Sequence, residues 1–392
     1  MAEMNLAEIS INQFYELIRQ ECRAVMSGTT ERRGEPTNSF LGLGKAGIGK
    51  TEGIRGIANE LGIGCRELRL AHCVLEDVSG IPEIKEGRTV YTVPDFFPTE
   101  ERDGKYGILV LDEITSATKD LRTVSLNLLE PAHKLNRYEL PKGWIVVALG
   151  NGAEDGGNFN GLETTNINRC ISFRVKADKD AWVKWAVTAG VNPVIIAYIN
   201  FKPEALYSQV EDEESQQCAT PRSWVTLSRL LNRQEEIGKY DEGMLRAFIS
   251  GSIGDVAGRH FLAFYNLSNE DDVISASDVF EGKAKPVKEY ITQSEKIHIL
   301  SQSLCMLLKN HIQNNRIDIM EFKPEVFPPV INVLKWVFQL GDVMFDSAVL
   351  MFRDFNSTVP YFDEVTSTEE FRDMCPEFSQ FINDHAAEFS FS

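Results

Sequence analysis

The chain has 392 residues, 43% hydrophobic and 25% charged, a balance that suits a soluble globular protein with room for two or three domains. Its formal net charge of −18 opposes binding to a nucleic-acid backbone, which calls for a Lys/Arg surface. Seven scattered cysteines without a Cys-x-x-Cys pair, an N-terminus with no basic or apolar leader, and no apolar run approaching about 18–20 residues exclude a disulfide framework, a cysteine-type zinc site and membrane insertion, and point to a reducing cytoplasm.

In chain order, residues 1–37 supply a helix from Ile9 to Met26, with Ile11, Phe14, Leu17 and Ile18 apolar, and then a polar loop. Residues 38–176 read as an α/β core in which strands alternate with helices, as a parallel sheet demands. Ser39-Phe40-Leu41-Gly42-Leu43 is a short buried strand. The segment after it, Gly44-Lys45-Ala46-Gly47-Ile48-Gly49-Lys50-Thr51, fits the phosphate-binding pattern G-x-x-x-x-G-K-[ST] at every fixed position. Ile54, Ile57, Ala58 and Leu61 then recur at helical spacing until Gly62 and Gly64. Strand, glycine loop and helix start form the arrangement that holds an anion on the helix dipole. The backbone N–H groups of such a loop face the phosphates. Lys50 reaches the β- and γ-phosphates, and the Thr51 hydroxyl takes a place on Mg²⁺.

From Asp77 to Pro98, Gly80, Pro82, Gly87 and Pro94 surround Thr89-Val90-Tyr91-Thr92-Val93, a short strand too interrupted for the core sheet. Tyr91, Phe96 and Phe97 are its candidate apolar grips. Gly107-Ile108-Leu109-Val110-Leu111-Asp112-Glu113 is an apolar run ending in two carboxylates, which reads as a buried parallel strand delivering acids to the carboxyl edge of the sheet. There Asp112 would join Thr51 in holding Mg²⁺, and Glu113 would act as the base that polarises attacking water. Trp144 to Leu149 is a third strand, and Asn151 beyond it is placed to hydrogen-bond a phosphate or that water.

Residues 177–265 read as a helical lid, with helices around Trp182, from Pro193 to Phe201, from Trp224 to Leu231 and from Met244 to Phe264. The region 266–392 opens with a loop holding Gly282 and Pro286. Two amphipathic helices follow, near Lys288–Asn314 and Pro328–Phe355, before an acidic end; Leu300, Leu304, Leu307 and Leu308 read as core. Acids also cluster at Glu211-Asp212-Glu213-Glu214, as a solvated surface. His72, His133 and His260 read as structural residues rather than ligands.

These pieces in this order resemble an AAA+ ATPase, and more narrowly the MoxR-type ATPases of the helix-2-insert clade, over about Phe40 to Leu231. Leu149-Gly150-Asn151-Gly152-Ala153-Glu154-Asp155 resembles the family's sensor-1 segment, and Asn168-Arg169 stands at the position of its arginine finger. Asp180-Ala181-Trp182-Val183-Lys184-Trp185-Ala186 resembles the start of its lid, and Thr220-Pro221-Arg222-Ser223-Trp224 its sensor-2 motif. The stretch from Asp77 is similar to its insert, and Leu135 to Pro141 to the hairpin before sensor 1. Cys170 departs from the pattern, since the family usually has Phe after the finger Arg.

The resemblance implies ATP and Mg²⁺ as ligands, Arg169 acting across a subunit interface, Arg222 acting within its own subunit, and hence an oligomeric ring, a hexamer or near it. It also implies chaperone-like work on a protein partner, such as one carrying a von Willebrand A domain. A nucleic-acid motor or helicase loader is the alternative, since AAA+ cores serve both tasks, and a nucleotide-gated switch with little turnover is a third. The acidic balance disfavours the motor. Glu113, Asn151 and Arg169 disfavour the switch.

Overall fold

The computed structural model describes residues 6–135, 138–152, 169–208, 218–238, 240–268, 274–284, 294–318, 321–342, 344–378 and 381. It divides into two compact units, Met1–Asp178 and Lys179–Ser392.

The first unit is built on a six-stranded parallel sheet. Its strands are β1 (Ala7–Ser10), β2 (Phe40–Leu43), β3 (Gly64–Arg69), β6 (Gly107–Asp112), β9 (Trp144–Gly150) and β10 (Ile171–Lys176), in the order β1-β10-β2-β9-β6-β3. Every residue of β2, β6 and β9 is buried, because parallel strands covered on both faces need apolar side chains on each. On one face Leu41, Leu43, Leu109, Leu111, Val146 and Ala148 join Leu121, Leu126 and Leu129 in a single core. Helix α1 (Ile11–Met26) and helix α3 (Lys50–Leu61) also belong to this unit, α3 following β2 directly through the glycine loop; the short α2 (Thr29–Arg33) lies between them in sequence.

The helix read from Ile9 begins two residues later. The Ser10 hydroxyl accepts from Gln13 N–H while the Gln13 side chain accepts from Ser10 N–H, a capping box that fixes the first turn. Ala7–Ser10 instead pairs with Phe173–Lys176 as the edge strand of the sheet.

Two pieces stand apart from the main sheet. β4 (Pro82–Lys85) and β5 (Arg88–Tyr91) form an antiparallel hairpin, closed by Glu86 and Gly87, both at positive φ (52° and 72°), the requirement of a two-residue primed turn. The short strand expected at 89–93, apart from the core sheet, is found as Arg88–Tyr91, the second arm of this hairpin. Ile84 is 83% exposed and Tyr91 40%, whereas Phe96 and Phe97 are buried in the core of the unit, so neither is an apolar grip. β7 (Lys134–Leu135) and β8 (Tyr138–Glu139) form the short hairpin ahead of β9; Asn136 and Arg137 lie outside the described residues.

The second unit is helical. Lys179–Ala189, Pro193–Phe201, Pro221–Ile237, Glu242–Ile253 and Asp255–Leu267 enclose Trp182, Tyr198, Trp224, Phe261 and Phe264. The helix expected from Met244 to Phe264 is broken at Gly254, whose φ of 86° no helix interior allows. Further on, Ser294–Asn315, Phe327–Gly341 and Phe345–Thr358 pack around a second core. Leu300, Leu304 and Leu308 are fully buried there, as expected of core positions, with Leu307 half-buried. The Pro328–Phe355 pattern is two helices, because Met344 takes a non-helical conformation (φ −146°, ψ 83°). The acidic run 211–214, Pro286, the expected helix start at 288–293 and the terminal stretch from 382 lie outside the described residues. Among those described, no helix is long and apolar enough to cross a membrane.

One aromatic ring fixes how closely three segments of the first unit meet. Trp144 is fully buried, donates its indole N–H to Gly104 O at 3.0 Å, and lies where a Cβ on Gly107 would come within 2.5 Å of it. Trp144→Ala is expected to destabilise the α/β unit by about 3–5 kcal/mol through the cavity it leaves. Urea unfolding followed by circular dichroism checks this; an unchanged midpoint would contradict it.

Candidate nucleotide site

The loop between β2 and α3 is shaped by its glycines. Gly47 and Gly49 have φ of 79° and 104°, the left-handed region that side chains disfavour. Gly44 is held by proximity: its N–H donates to Gly150 O at 3.1 Å, and a Cβ would fall 2.2 Å from Val175 O. α3 starts at Lys50, so the N–H groups of its first turn have no intrahelical carbonyl and point out of the helix start, the geometry that suits an anion. The Lys50 ammonium is buried and donates to Gly44 O and, at 2.8 Å, to Lys45 O. It therefore closes back over the loop that carries it. Of the remaining loop residues, Ile48 is buried in the core and Ala46 is exposed.

β6 brings the carboxylates to the same edge. Asp112, at its end, accepts the Thr51 hydroxyl hydrogen bond at 2.8 Å on one oxygen and Glu113 N–H at 2.8 Å on the other. A hydroxyl and a carboxylate at hydrogen-bond distance are two hard oxygen donors. That set fits Mg²⁺, which takes one or two protein ligands and completes its shell with phosphate oxygens and water. Among the described residues no group of three His, Cys, Asp or Glu forms a metal cluster, so no denser metal site competes with it.

Glu113 is half-buried and left-handed (φ 57°, ψ 34°), a conformation uncommon outside glycine, Asn and Asp and one that accumulates at functional sites. Asn151 follows β9, the strand between β2 and β6, and its N–H donates to the Thr115 hydroxyl at 3.0 Å. Thr115 is buried against Gly150, so the turn after Glu113 and the turn after β9 are tied together. Phosphate loop, Asn151 and Asp112-Glu113 thus end three adjacent strands.

The two arginines belong to other segments of the chain. Arg169 precedes β10, with Ile171 beside Phe40 in register, whereas the phosphate loop begins four residues beyond Phe40. Four residues of strand span about 13 Å, so Arg169 is at the amino edge of the sheet, opposite the other candidates. It is paired with Glu130 at 2.8 Å. Cys170 packs against the core, and burial raises its thiol pKa. Arg222 belongs to the second unit, at the second position of Pro221–Ile237, where the Thr220 hydroxyl caps the helix by accepting from Ser223 N–H; its side chain is exposed. Ala153–Asp155 and Asn168 lie outside the described residues.

Three residues escaped the sequence reading: Thr115, Glu130 and Tyr15. Tyr15 has no motif to announce it, yet its hydroxyl donates to Gly49 O in the phosphate loop at 2.8 Å. His133 is structural as expected, its ring nitrogens within 2.7 Å of the Thr37 hydroxyl and 2.8 Å of Leu128 O.

A glycine loop between a strand and a helix, an acidic strand end and an intervening parallel strand give the first unit an α/β P-loop NTPase fold, followed here by a helical region. No protein-family model matches the chain, and no curated protein matches it. Among solved structures it is similar to a mutant of Thermotoga maritima RuvB (14% identity, 76% of this chain and 86% of that one, TM-score 0.36). C. elegans PCH-2 is similar at 12% identity, over 68% of this chain and 72% of that one, with a TM-score of 0.33. Likeness this distant carries no argument about substrate or partner.

The left-handed Glu113 gives a test of strain at the site. Glu113→Gly should raise stability by about 0.5–1 kcal/mol, since only the glutamate bears a steric cost in that conformation. Thermal unfolding would show it, and a lower midpoint would count against strain there.

Proposed function

We propose that the chain is an ATP-hydrolysing, Mg²⁺-dependent AAA+ ring ATPase of MoxR type that remodels or activates a protein partner. The observation that carries the reading is the contact of Thr51 with Asp112 beside a glycine loop that opens directly into a helix start, with Glu113 one residue on. Bound Mg²⁺ would offset charge on the β- and γ-phosphates from its place on Thr51 and Asp112. Lys50, released from the loop carbonyls, neutralises the same charge. Glu113 orients the attacking water and accepts its proton, and Asn151 steadies that water or the γ-phosphate from the neighbouring strand.

Arg169 is too far along the sheet to serve the loop of its own chain. A cation on the opposite edge can meet the γ-phosphate of a neighbouring subunit, and one that arrives only on assembly stabilises the transition state specifically. This supports a ring, a hexamer or near it, with Arg222 approaching within its own subunit. The exposed hairpin with Ile84 and Tyr91 is the surface offered to a protein partner, such as one carrying a von Willebrand A domain. A cytoplasmic setting and a lid at 177–265 ahead of a distinct region 266–392 belong to the same reading.

Lys50→Ala should abolish binding of a fluorescent ATP analogue, while Glu113→Gln keeps binding and lowers turnover by roughly a hundredfold or more. Equal loss of affinity in both variants would contradict these roles. Mixing inactive Arg169→Ala with inactive Glu113→Gln subunits should restore part of the activity, since some interfaces then join an intact base to an intact arginine. Mixed rings of confirmed mass with no recovery would count against an arginine acting in trans.

A further inference from the structure

Helix α1 lies against the phosphate loop with one hydroxyl directed at it. Tyr15 Oη donates to Gly49 O at 2.8 Å, and the same carbonyl accepts the first intrahelical bond of α3 from Gly53 N–H at 3.0 Å. The Tyr15 ring occupies the side-chain space of Gly53, where a Cβ would sit 1.9 Å from the ring carbon that bears the hydroxyl. Burial, with Glu52 nearby, raises the Tyr15 pKa, so the group stays protonated and can donate.

The consequence follows from peptide geometry. In a planar trans peptide the C=O of one residue and the N–H of the next point in opposite directions. A Gly49 carbonyl directed along α3 therefore leaves Lys50 N–H directed out of the helix start, where an anion binds. Gly49 sits at φ 104° and, having no side chain, offers little resistance to rotation of this peptide. A second donor on its carbonyl supplies that resistance. The geometry points to Tyr15 as a positioning residue for phosphate binding, holding the Gly49–Lys50 peptide in its anion-facing orientation from outside the motif. This rests on the reading of the loop as an ATP site.

Tyr15→Phe in the full chain removes the hydroxyl and keeps the ring over Gly53. Titration with a fluorescent ATP analogue should show roughly tenfold weaker binding, the loss of one hydrogen bond's worth of orientation. In steady-state hydrolysis the KM for ATP should rise in step, with kcat and the nucleotide-free unfolding midpoint unchanged. Arg19→Ala breaks the ion pair that α1 makes with Glu60 at 3.1 Å, well away from the loop, and should leave affinity as in the wild type. Unchanged affinity in Tyr15→Phe, while the wild type binds nucleotide, would overturn the inference alone. So would an equal loss in Arg19→Ala, or a loss accompanied by a lower unfolding midpoint, since either marks a packing role. A wild type that binds no nucleotide would overturn the ATP-site reading itself, and this inference with it.

Discussion

A helix that begins in a glycine loop carries N–H groups with no intrahelical carbonyl to satisfy them, and the first unit is organised around keeping that helix end fixed. The sheet supplies the rigidity. β2 is gripped by β10 on one side and β9 on the other, so the loop leaves it at a fixed height above the carboxyl edge. Asp112 reaches the first turn of α3 from β6, one strand beyond β9, and its hydrogen bond with Thr51 sets the separation of helix and acid. Thr115 then ties the turn after Glu113 to the turn after β9. Each link is short and local once the parallel order is in place, but the order itself joins segments far apart in the chain.

That distinction decides what could be read from residues alone. The phosphate loop, the acidic strand end and the strand before Asn151 were legible because each is a contiguous run whose chemistry and periodicity agree. β1 was not: four half-polar residues at a sheet edge resemble a helix start, and their partner β10 lies more than 160 residues away. Phe96 and Phe97 sit among turn residues that suggest a surface loop, yet tertiary packing draws both into the core. The left-handed turn at Glu113 is invisible in composition, since nothing about a glutamate announces positive φ. Arg169 and Arg222 entered through resemblance, and only the register of β10 reveals that the first faces away from its own loop.

The helical unit solves a different problem, that of polar groups in an interior with few strands to absorb them. Lys309 is buried and donates to Val187 O and Thr188 O at 2.9 and 2.8 Å, capping the last carbonyls of Lys179–Ala189. Asp354 is enclosed with Ser301 and Gln302, which donate to one of its oxygens at 2.7 and 2.8 Å, and burial raises its pKa in spite of them. Such contacts specify which helices meet, because an interior polar group without its partner costs more than a misplaced methyl group.

Close approach between elements of the first unit, helix to sheet, helix to helix and strand to strand, rests on rings seated over glycines: Phe14 over Gly42, Tyr15 over Gly53 and Trp144 over Gly107. Each pair is a single volume divided between two positions, one holding all of it and the other none. Such a volume can be redistributed but neither enlarged nor emptied cheaply, so these positions can change only in concert. A family of sequences built on this scaffold would then show paired replacements, a smaller group at the ring position accompanied by a side chain at the glycine, while either single change is selected against.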